Sequence, residues 1–598
     1  MTKQYSIGID LGTTNCVMSY ANLLADRPHI ELLRIRQVTA LNEHEELEYL
    51  PSFLYLPTEQ ETEAGVFDLP DYPVYPTVNG YFARQASAEN PERTIAAAKS
   101  WLCHASVDRH AAILPWQAPD EIAKISPVAA SRFLLRQLVD SWQRSFPTAP
   151  IENQQVVLTV PASFDLAARE LTREAALGAG LPADFILLEE PQAAVYHWLE
   201  TTGENWRQTV KEGDSLMVCD VGGGTTDLTL VQVCSEAGEL NLRRIAVGNH
   251  LLVGGDNMDL ALAHLAAQKF SQLGHKLNAW QSTSLWHACR RAKESLLSSD
   301  GPAAETISVL GRSSKLVAGT ISIEVDREEV QSLLVDGFFP FCESTELPRR
   351  ESQSGFQEVG LPFEPDTGIT RHVAEFVANN VMSSDSDLYL LLNGGVFKGS
   401  VLRERAVQAV RRLRQSESSV RILGKLDDLD FAVSRGATYY GWAKHHGGVR
   451  IRGGTARSYY VGIESSGLAV PGMPRPLQAV CVVPLGMEEG SEVSVPGREV
   501  GLVVGRAAKF RFFASATRKD DRPGTVLKFW DEDELIETSP MELLLDMDEA
   551  QDSSFVPVTF LSKVSELGVL ELWCKHNASG RQWKLELNVR DAVEVPQA

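Results

Sequence analysis

The chain has 598 residues, with 56 Lys and Arg against 79 Asp and Glu, for a formal net charge of −23. That balance argues against nucleic acid or an anionic membrane as a main partner, since both would repel it. An apolar fraction of 44% and a charged fraction of 23% are ordinary for a soluble globular protein, and the length allows about four units of ~150 residues. No apolar run approaches the ~18 residues of a membrane span, and Met1–Tyr5 does not read as a signal-peptide start. The eight cysteines fall singly, without a C-x-x-C pair, so reduced thiols in a cytoplasmic protein are expected. No histidine pair has zinc-site spacing, and His445-His446 reads as a solvated helix end.

In chain order, Ile7–Asn15 reads I-G-I-D-L-G-T-T-N: an apolar strand ending at Asp10, then Gly12, the hydroxyls of Thr13 and Thr14, and Asn15. Cys16–Tyr20 returns as the second strand of a hairpin. Asn22–Leu50 is polar and mixed, Pro51–Pro57 predicts a short strand, and Glu59–Thr77 predicts an exposed insertion. Asn90 and Pro91 predict a cap and start for a helix Thr94–Trp101 that carries Lys99. On its own residues Lys99 reads as a solvated charge. A helix is predicted over Ser126–Phe146, a buried strand over Val156–Val160, a helix over Leu166–Gly180, a strand over Ile186–Leu188 and a helix from Glu189. This alternation is the α/β signature.

The stretch Val218–Asp227, V-C-D-V-G-G-G-T-T-D, repeats the first turn. A strand ends at Asp220, glycines follow, Thr225 and Thr226 supply hydroxyls, and Asp227 opens a returning strand. Phosphate can approach main-chain N–H groups only where no Cβ intervenes, and carboxylate, Mg²⁺ and phosphate form a stable set. Two such turns suggest two related halves closing on one nucleotide. P-loop and dinucleotide readings fail, because neither G-x-x-x-x-G-K-[ST] nor G-x-G-x-x-G follows a strand. The pairing resembles the superfamily of actin, sugar kinases and heat-shock chaperone ATPases.

Later segments narrow that resemblance. They are L-T-V-P-A-S-F at 158–164, E-E-P-Q-A-A from Glu189, V-G-G-D-N-M-D from Val253, H-A-C-R-R-A-K-E-S-L-L-S-S from His287, L-Y-L-L-L-N-G-G-V-F-K from Leu388, and D-F-A-V-S-R-G from Asp430. Over Met1–Lys444 the chain resembles the DnaK (heat-shock protein seventy) family, and over Ser458–Ala598 it does so more loosely. The resemblance implies an α/β actin-like two-lobed ATPase domain over residues 1–446, a linker over 447–457 and an all-β sandwich over 458–598. That last domain would be peptide-binding and without a helical lid. Recurring Pro-Gly turns at 471–472, 496–497 and 523–524, and a final hairpin over Leu567–Val589, fit such a domain.

It further implies ATP or ADP with Mg²⁺, the ion held mostly through water by Asp10, Asp220 and Glu190. Lys99, Glu190, Asp220, Thr225 and Asp227 would be catalytic, with Lys99 orienting the attacking water and Asp220 or Asp227 accepting its proton. Gly12, Thr13, Thr14, Asn15, Gly222, Gly223, Gly224, Thr225, Gly254 and Gly255 would surround the phosphates. Arg290, Lys293, Glu294, Gly394, Gly395, Lys398 and Asp430 would border the adenosine, and Pro161 and Arg169 would be relay residues.

The chain also departs from the family pattern. Arg290 and Glu294 have the usual charges exchanged, Leu297 stands for a serine, and Lys398 replaces an arginine. Weaker adenine recognition is therefore expected. The linker lacks its run of leucines and offers only Val449 and Ile451, so reduced coupling is expected. The implied function is an ATP-hydrolysing chaperone-like protein that binds extended polypeptides, with J-domain and nucleotide-exchange co-chaperones as partners. A nucleotide-gated interaction module with little turnover is the alternative, and a sugar kinase is disfavoured by the β-rich tail. The basic helix Val401–Arg414 reads as a solvated face, Glu343–Gly368 as an irregular insertion, and the acidic segment Trp530–Asp552 has no assigned role.

Overall fold

A computed structural model describes Lys3–Leu587 except 105–106, 237–238, 311–319, 350–360, 362, 381–385, 415–419, 425–427, 450, 453, 456, 465–475, 489, 498, 504–506, 532–533, 545–554 and 566–569. Two sheets of the same plan organise the first three-quarters of the chain. The first orders Ile186–Glu189, Gln155–Val160, Tyr5–Leu11, Asn15–Asn22 and Glu31–Leu32, with Leu50–Pro51 also pairing Asn15–Asn22. The second orders Val420–Leu423, Leu388–Asn393, Ser215–Val221, Thr226–Glu236, Glu239–Val247 and Ile451–Arg452. In each, a central strand pairs in parallel on one side and turns back antiparallel on the other. The apolar runs 156–160 and 388–393 are buried throughout, as expected of parallel strands covered on both faces.

The helices Glu190–Thr202 and Ala432–His446 pack together between the sheets. Gly436 permits this, since a Cβ there would overlap the Ala193 carbonyl oxygen. Leu188, Val218, Leu391 and Ala437 share the resulting core. Each large aliphatic side chain buried there contributes about 1.5–3 kcal/mol.

The fold corrects several local expectations. Ile35–Ala40 and Glu43–Leu47 form a hairpin where the sequence reads only as polar and mixed. The insertion 59–77 is exposed or half-exposed over most of its length, as expected, and is held at two points: Thr58 and Glu61 make a capping box, and Tyr75 donates to Asp140 Oδ2 at 2.5 Å. Thr94–Ile95 is a strand paired with Leu54–Tyr55, not the start of a helix. Its β-branched side chains suit that strand, and the helix is only Ala98–Trp101, entered through a left-handed Ala97 with φ 54°. The solvated face expected of Ser400–Leu413 holds for Arg412, which is exposed, whereas Arg403 donates to the Phe397 carbonyl at 3.0 Å and Arg405 to Asp336 at 3.0 Å. The segment 343–368 lies partly outside the described residues. Within it Asp366 accepts from Arg371 Nε at 2.7 Å and from Arg349 N at 2.8 Å.

Residues 451–452 join the second sheet, pairing in parallel with Leu242–Arg243. Backbone pairing and one buried Ile451 thus serve where the sequence reading looked for a leucine run. Tyr196 Oη accepts from Ile451 N at 2.8 Å, and Arg244 reaches both Glu189 and the Gly454 carbonyl. The remaining strands form a ten-stranded antiparallel array around Tyr459, Val482, Phe512, Val558 and Leu572. Leu570–His576 and Gln582–Leu587 make the final hairpin about Gly580, as expected. The acidic segment includes the strand Ile536–Leu544, while the turn at 471–472 lies outside the described residues. Among the described residues no helix is long and apolar enough to cross a membrane, and all eight cysteines are free.

Candidate functional site

The two Asp-Gly-Thr turns meet face to face. Asp10 closes the strand Tyr5–Leu11, and the turn Gly12–Thr14 leads into Asn15–Asn22. Asp220 lies directly across from Asp227 in the second sheet, and Gly222 N donates to the Thr225 carbonyl at 2.9 Å to close the tight turn between them. The Cβ of any side chain at Gly223 would overlap Thr14 Oγ1. The third glycine turn lies against the second, with Gly255 N on the Gly222 carbonyl at 3.0 Å and Asp256 N on that of Gly223 at 2.7 Å. Gly12–Asn15, Gly222–Thr225 and Gly254–Gly255 are therefore gathered at one place. Asn15 Oδ1 is buried there without a hydrogen-bond partner.

Buried charge surrounds these turns. Lys99, 7% exposed, pairs with Glu190 at the start of its helix. Burial works against the Lys99 charge, but Glu190 and then Asp10 outweigh it and raise the pKa. Burial pushes Glu190 up to about 8 against the pull of Lys99, with Asp10 and Asp220 adding to the rise. Asp220 is pushed up to about 7 by burial, opposed by a 2.7 Å hydrogen bond from Asn393 and reinforced by Asp227 and Asp10. Asp10 is raised by burial too, against Lys99. Asp227 goes the other way: burial would raise it, but His250, Ser163 and Lys99 together hold it below the usual carboxylate range. Three carboxylates reluctant to ionise act on one another here; among the described residues no group of three His, Cys, Asp or Glu is gathered closely enough to ligate a metal directly, so a divalent cation would have to be held through water.

On the far side, Arg290 is committed to Asp256 and to the fully buried Asp259, the latter at 2.8 Å. Lys293 binds Asp259 at 2.6 Å and the Gly255 carbonyl at 3.0 Å. Glu294 is exposed, while Leu297 is buried in the second sheet's core. Gly394 takes φ 90° beside the Asp220 carboxylate, Gly395 follows it, and Lys398 pairs with Asp430. Sequence reasoning missed Asp256 and Asp259 as partners of the basic pair, and missed Ser163 and His250 at Asp227. The acid after Gly254-Gly255 was a usable signal for the first. Nothing local marks the second.

A family model described as "Hsp70 protein" matches residues 76–345, a span that holds Lys99, Glu190 and the second and third glycine turns. This chain is Hsp70-like. Curated relatives agree: a "Chaperone protein HscA homolog" of Acidithiobacillus ferrooxidans is 30% identical over 344 residues, covering 56% of this chain and 47% of the relative. A "Chaperone protein HscA" of Photorhabdus laumondii is 29% identical over 273 residues, covering 44% and 37%. The homologue of Acinetobacter baumannii is 27% identical over 310 residues, covering 49% and 42%. The Hsp70-like chain spans about half the length of the curated relatives it matches. An Hsp70 domain implies an actin-like ATPase fold, in keeping with the mixed α/β sheets.

Proposed function

We propose that this Hsp70-like chain is a magnesium-dependent ATPase of the chaperone kind, binding ATP and ADP between its two sheets and coupling nucleotide state to the holding of extended polypeptide segments. The observation that carries this is the meeting of two Asp-Gly-Thr turns, one from each sheet, over buried carboxylates balanced by Lys99. In this reading residues 1–446 are a two-lobed actin-like domain, 447–457 the linker and 458–598 a β-sandwich that pairs with peptide backbone. The protein works in the cytoplasm, with J-domain and nucleotide-exchange proteins as candidate partners.

Phosphoryl transfer to water asks for positioning and charge balance more than covalent chemistry. Thr13, Thr14 and Thr225 offer hydroxyls to phosphate oxygens, and the main chain of Gly12, Asn15, Gly222–Gly224, Gly254 and Gly255 offers close approach. Asp10, Asp220 and Glu190 would hold magnesium mostly through water. The ion, when bound, supplies neutralisation of developing negative charge. Lys99 orients the attacking water, and Asp220 or Asp227 accepts its proton. Arg290, Lys293, Glu294, Gly394, Gly395, Lys398 and Asp430 border the nucleoside.

A second reading, a nucleotide-gated interaction module with little turnover, draws on one observation: Arg290 and Lys293 are already committed to Asp256 and Asp259. Measuring ATP hydrolysis beside equilibrium nucleotide binding separates the two. Tight binding with turnover supports the first, binding alone supports the second, and absence of both overturns both.

A further inference from the structure

Two side chains that the nucleotide pattern does not call for converge on Asp227. Ser163, in the loop after Gln155–Val160 of the first sheet, donates its hydroxyl to Asp227 Oδ1. His250, on the segment between Glu239–Val247 and the Gly254 turn, places Nδ1 at 2.7 Å from Ser163 Oγ and 3.4 Å from the same Asp227 oxygen. Since Ser163 spends its one proton on the carboxylate, its oxygen accepts from His250 Nδ1–H, and the three groups form a directed chain. The Phe164 ring stands edge-on to His250 at 5.8 Å and walls the cluster. Asp227 is 5% exposed and Ser163 4%, so the chain lies in a medium where an unpaired anion is costly. Asp227 Oδ2 makes no hydrogen bond among the described residues.

The tie crosses between the two sheets. Ser163 hangs from the first and Asp227 from the second, so the bond exists only at this separation of the two. We propose that Ser163 and His250 are positioning residues for Asp227, pinning Oδ1 across the cleft and leaving Oδ2 to accept the proton of the attacking water. This rests on the hydrolytic reading above. Hydrogen bonds to an ionised acceptor are short and directional, which is what a carboxylate needs if it is to present one oxygen rather than rotate. Asp227, Cys103 and Glu364 are the titratable groups that act on His250 from the elements around it. Burial opposes the His250 charge, but Asp227 and Cys103 outweigh it and raise the pKa to about 10, so the imidazole keeps its Nδ1 proton at neutral pH.

The test uses the full chain and compares wild type with Ser163→Ala, His250→Ala, Asp227→Asn and the double variant Ser163→Ala/Asp227→Asn. Single-turnover hydrolysis should fall roughly ten- to a hundred-fold in each positioning variant while nucleotide Kd moves less than about twofold. Removing Ser163 in the Asp227→Asn background should cost nothing further. Wild-type rates in both positioning variants overturn the proposal. So does a loss of rate matched by an equal loss of affinity, or full additivity in the double variant. A wild type that binds nucleotide without hydrolysing it overturns the hydrolytic reading, and the positioning role with it. The tie is then read by ¹⁵N-histidine NMR, in which His250 stays an imidazolium at about pH 8 in wild type and loses that charge at a lower pH in Asp227→Asn. A His250 that titrates normally in wild type overturns the tie itself.

Discussion

Thr14 Oγ1, at the end of the first sheet's turn, fills the space that a side chain on Gly223 of the second would need, and the same Cβ would lie 3.4 Å from Asp256 Oδ1. Threonine is short and stiff at χ1, so it cannot swing clear cheaply. Gly223→Ala should push the turns apart at a cost of about 1–3 kcal/mol and weaken nucleotide binding roughly ten- to a hundred-fold. Adding Thr14→Ala should recover part of that loss, and equilibrium nucleotide binding reads both. Wild-type affinity in Gly223→Ala would mean that the turns do not meet in solution.

Lys99→Ala should lower turnover by roughly 10²–10³, the scale of losing one preorganised charge. Breaking a buried ion pair usually costs about 3–5 kcal/mol. Here the loss should be smaller, because Glu190, pushed up to about 8 even against the pull of Lys99, rises further without it and is left neutral rather than as an unpaired charge. Turnover and a denaturant midpoint check the two statements separately. An undiminished rate would remove Lys99 from the mechanism.

Arg244 is nearly fully buried and holds Glu189 and the Gly454 carbonyl together, which fastens Ile451–Arg452 to the second sheet. Arg244→Ala should leave Glu189 to Arg169 at 2.8 Å and the Gln192 amide at 3.2 Å, and release the strand at a cost of about 3 kcal/mol. Limited proteolysis should then cut within 447–457 faster than in wild type. Arg244→Lys should not restore protection, since an ammonium lacks the two-directional fork of a guanidinium.

With Arg290 and Lys293 committed to Asp259, little cation remains to stack on a base. Losing a stack or a base hydrogen bond costs about 1–2 kcal/mol, so ATP should outcompete GTP by no more than about tenfold. Competition binding decides it, and a strong ATP preference would show that other groups rebuild the base contact.

Acid should unfold the protein partly through two histidines. Burial first, then Arg290 for His287 and Arg435 for His197, lower both to about 4. Their unfolded value is about 6.5, so between the two values the unfolded chain binds more protons. Stability fully present above about pH 6.5 is therefore lost as pH falls toward about 4, and these groups add no further loss below that. Glu190 and Asp220, raised by burial, act with the opposite sign. The test is accordingly the difference between wild type and His287→Gln or His197→Gln in denaturant midpoint at pH 7 and 4.5. Identical slopes would remove the histidines from the acid transition.

The glycine turns at Gly12 and Gly222–Gly224, the buried strands at 156–160 and 388–393, and the helices over 127–145 and 166–179 were legible in the sequence. Each is written in consecutive residues: an apolar run, a cap such as Ser126 or Asp165, a glycine where a side chain would not fit. The two-residue strands Thr94–Ile95 and Ile451–Arg452 were not legible, because two residues have no period, and only their partners at 54–55 and 242–243 make them strands. Lys99 became a buried ion-pair partner rather than a solvated charge only because the fold set Glu190 beside it from 91 positions away. The convergence of Ser163, Asp227 and His250 has the same origin. Local sequence governs local backbone geometry, whereas contacts between sheets depend on how strands distant in the chain are ordered, and on this site tertiary structure alone decided which charges are paired.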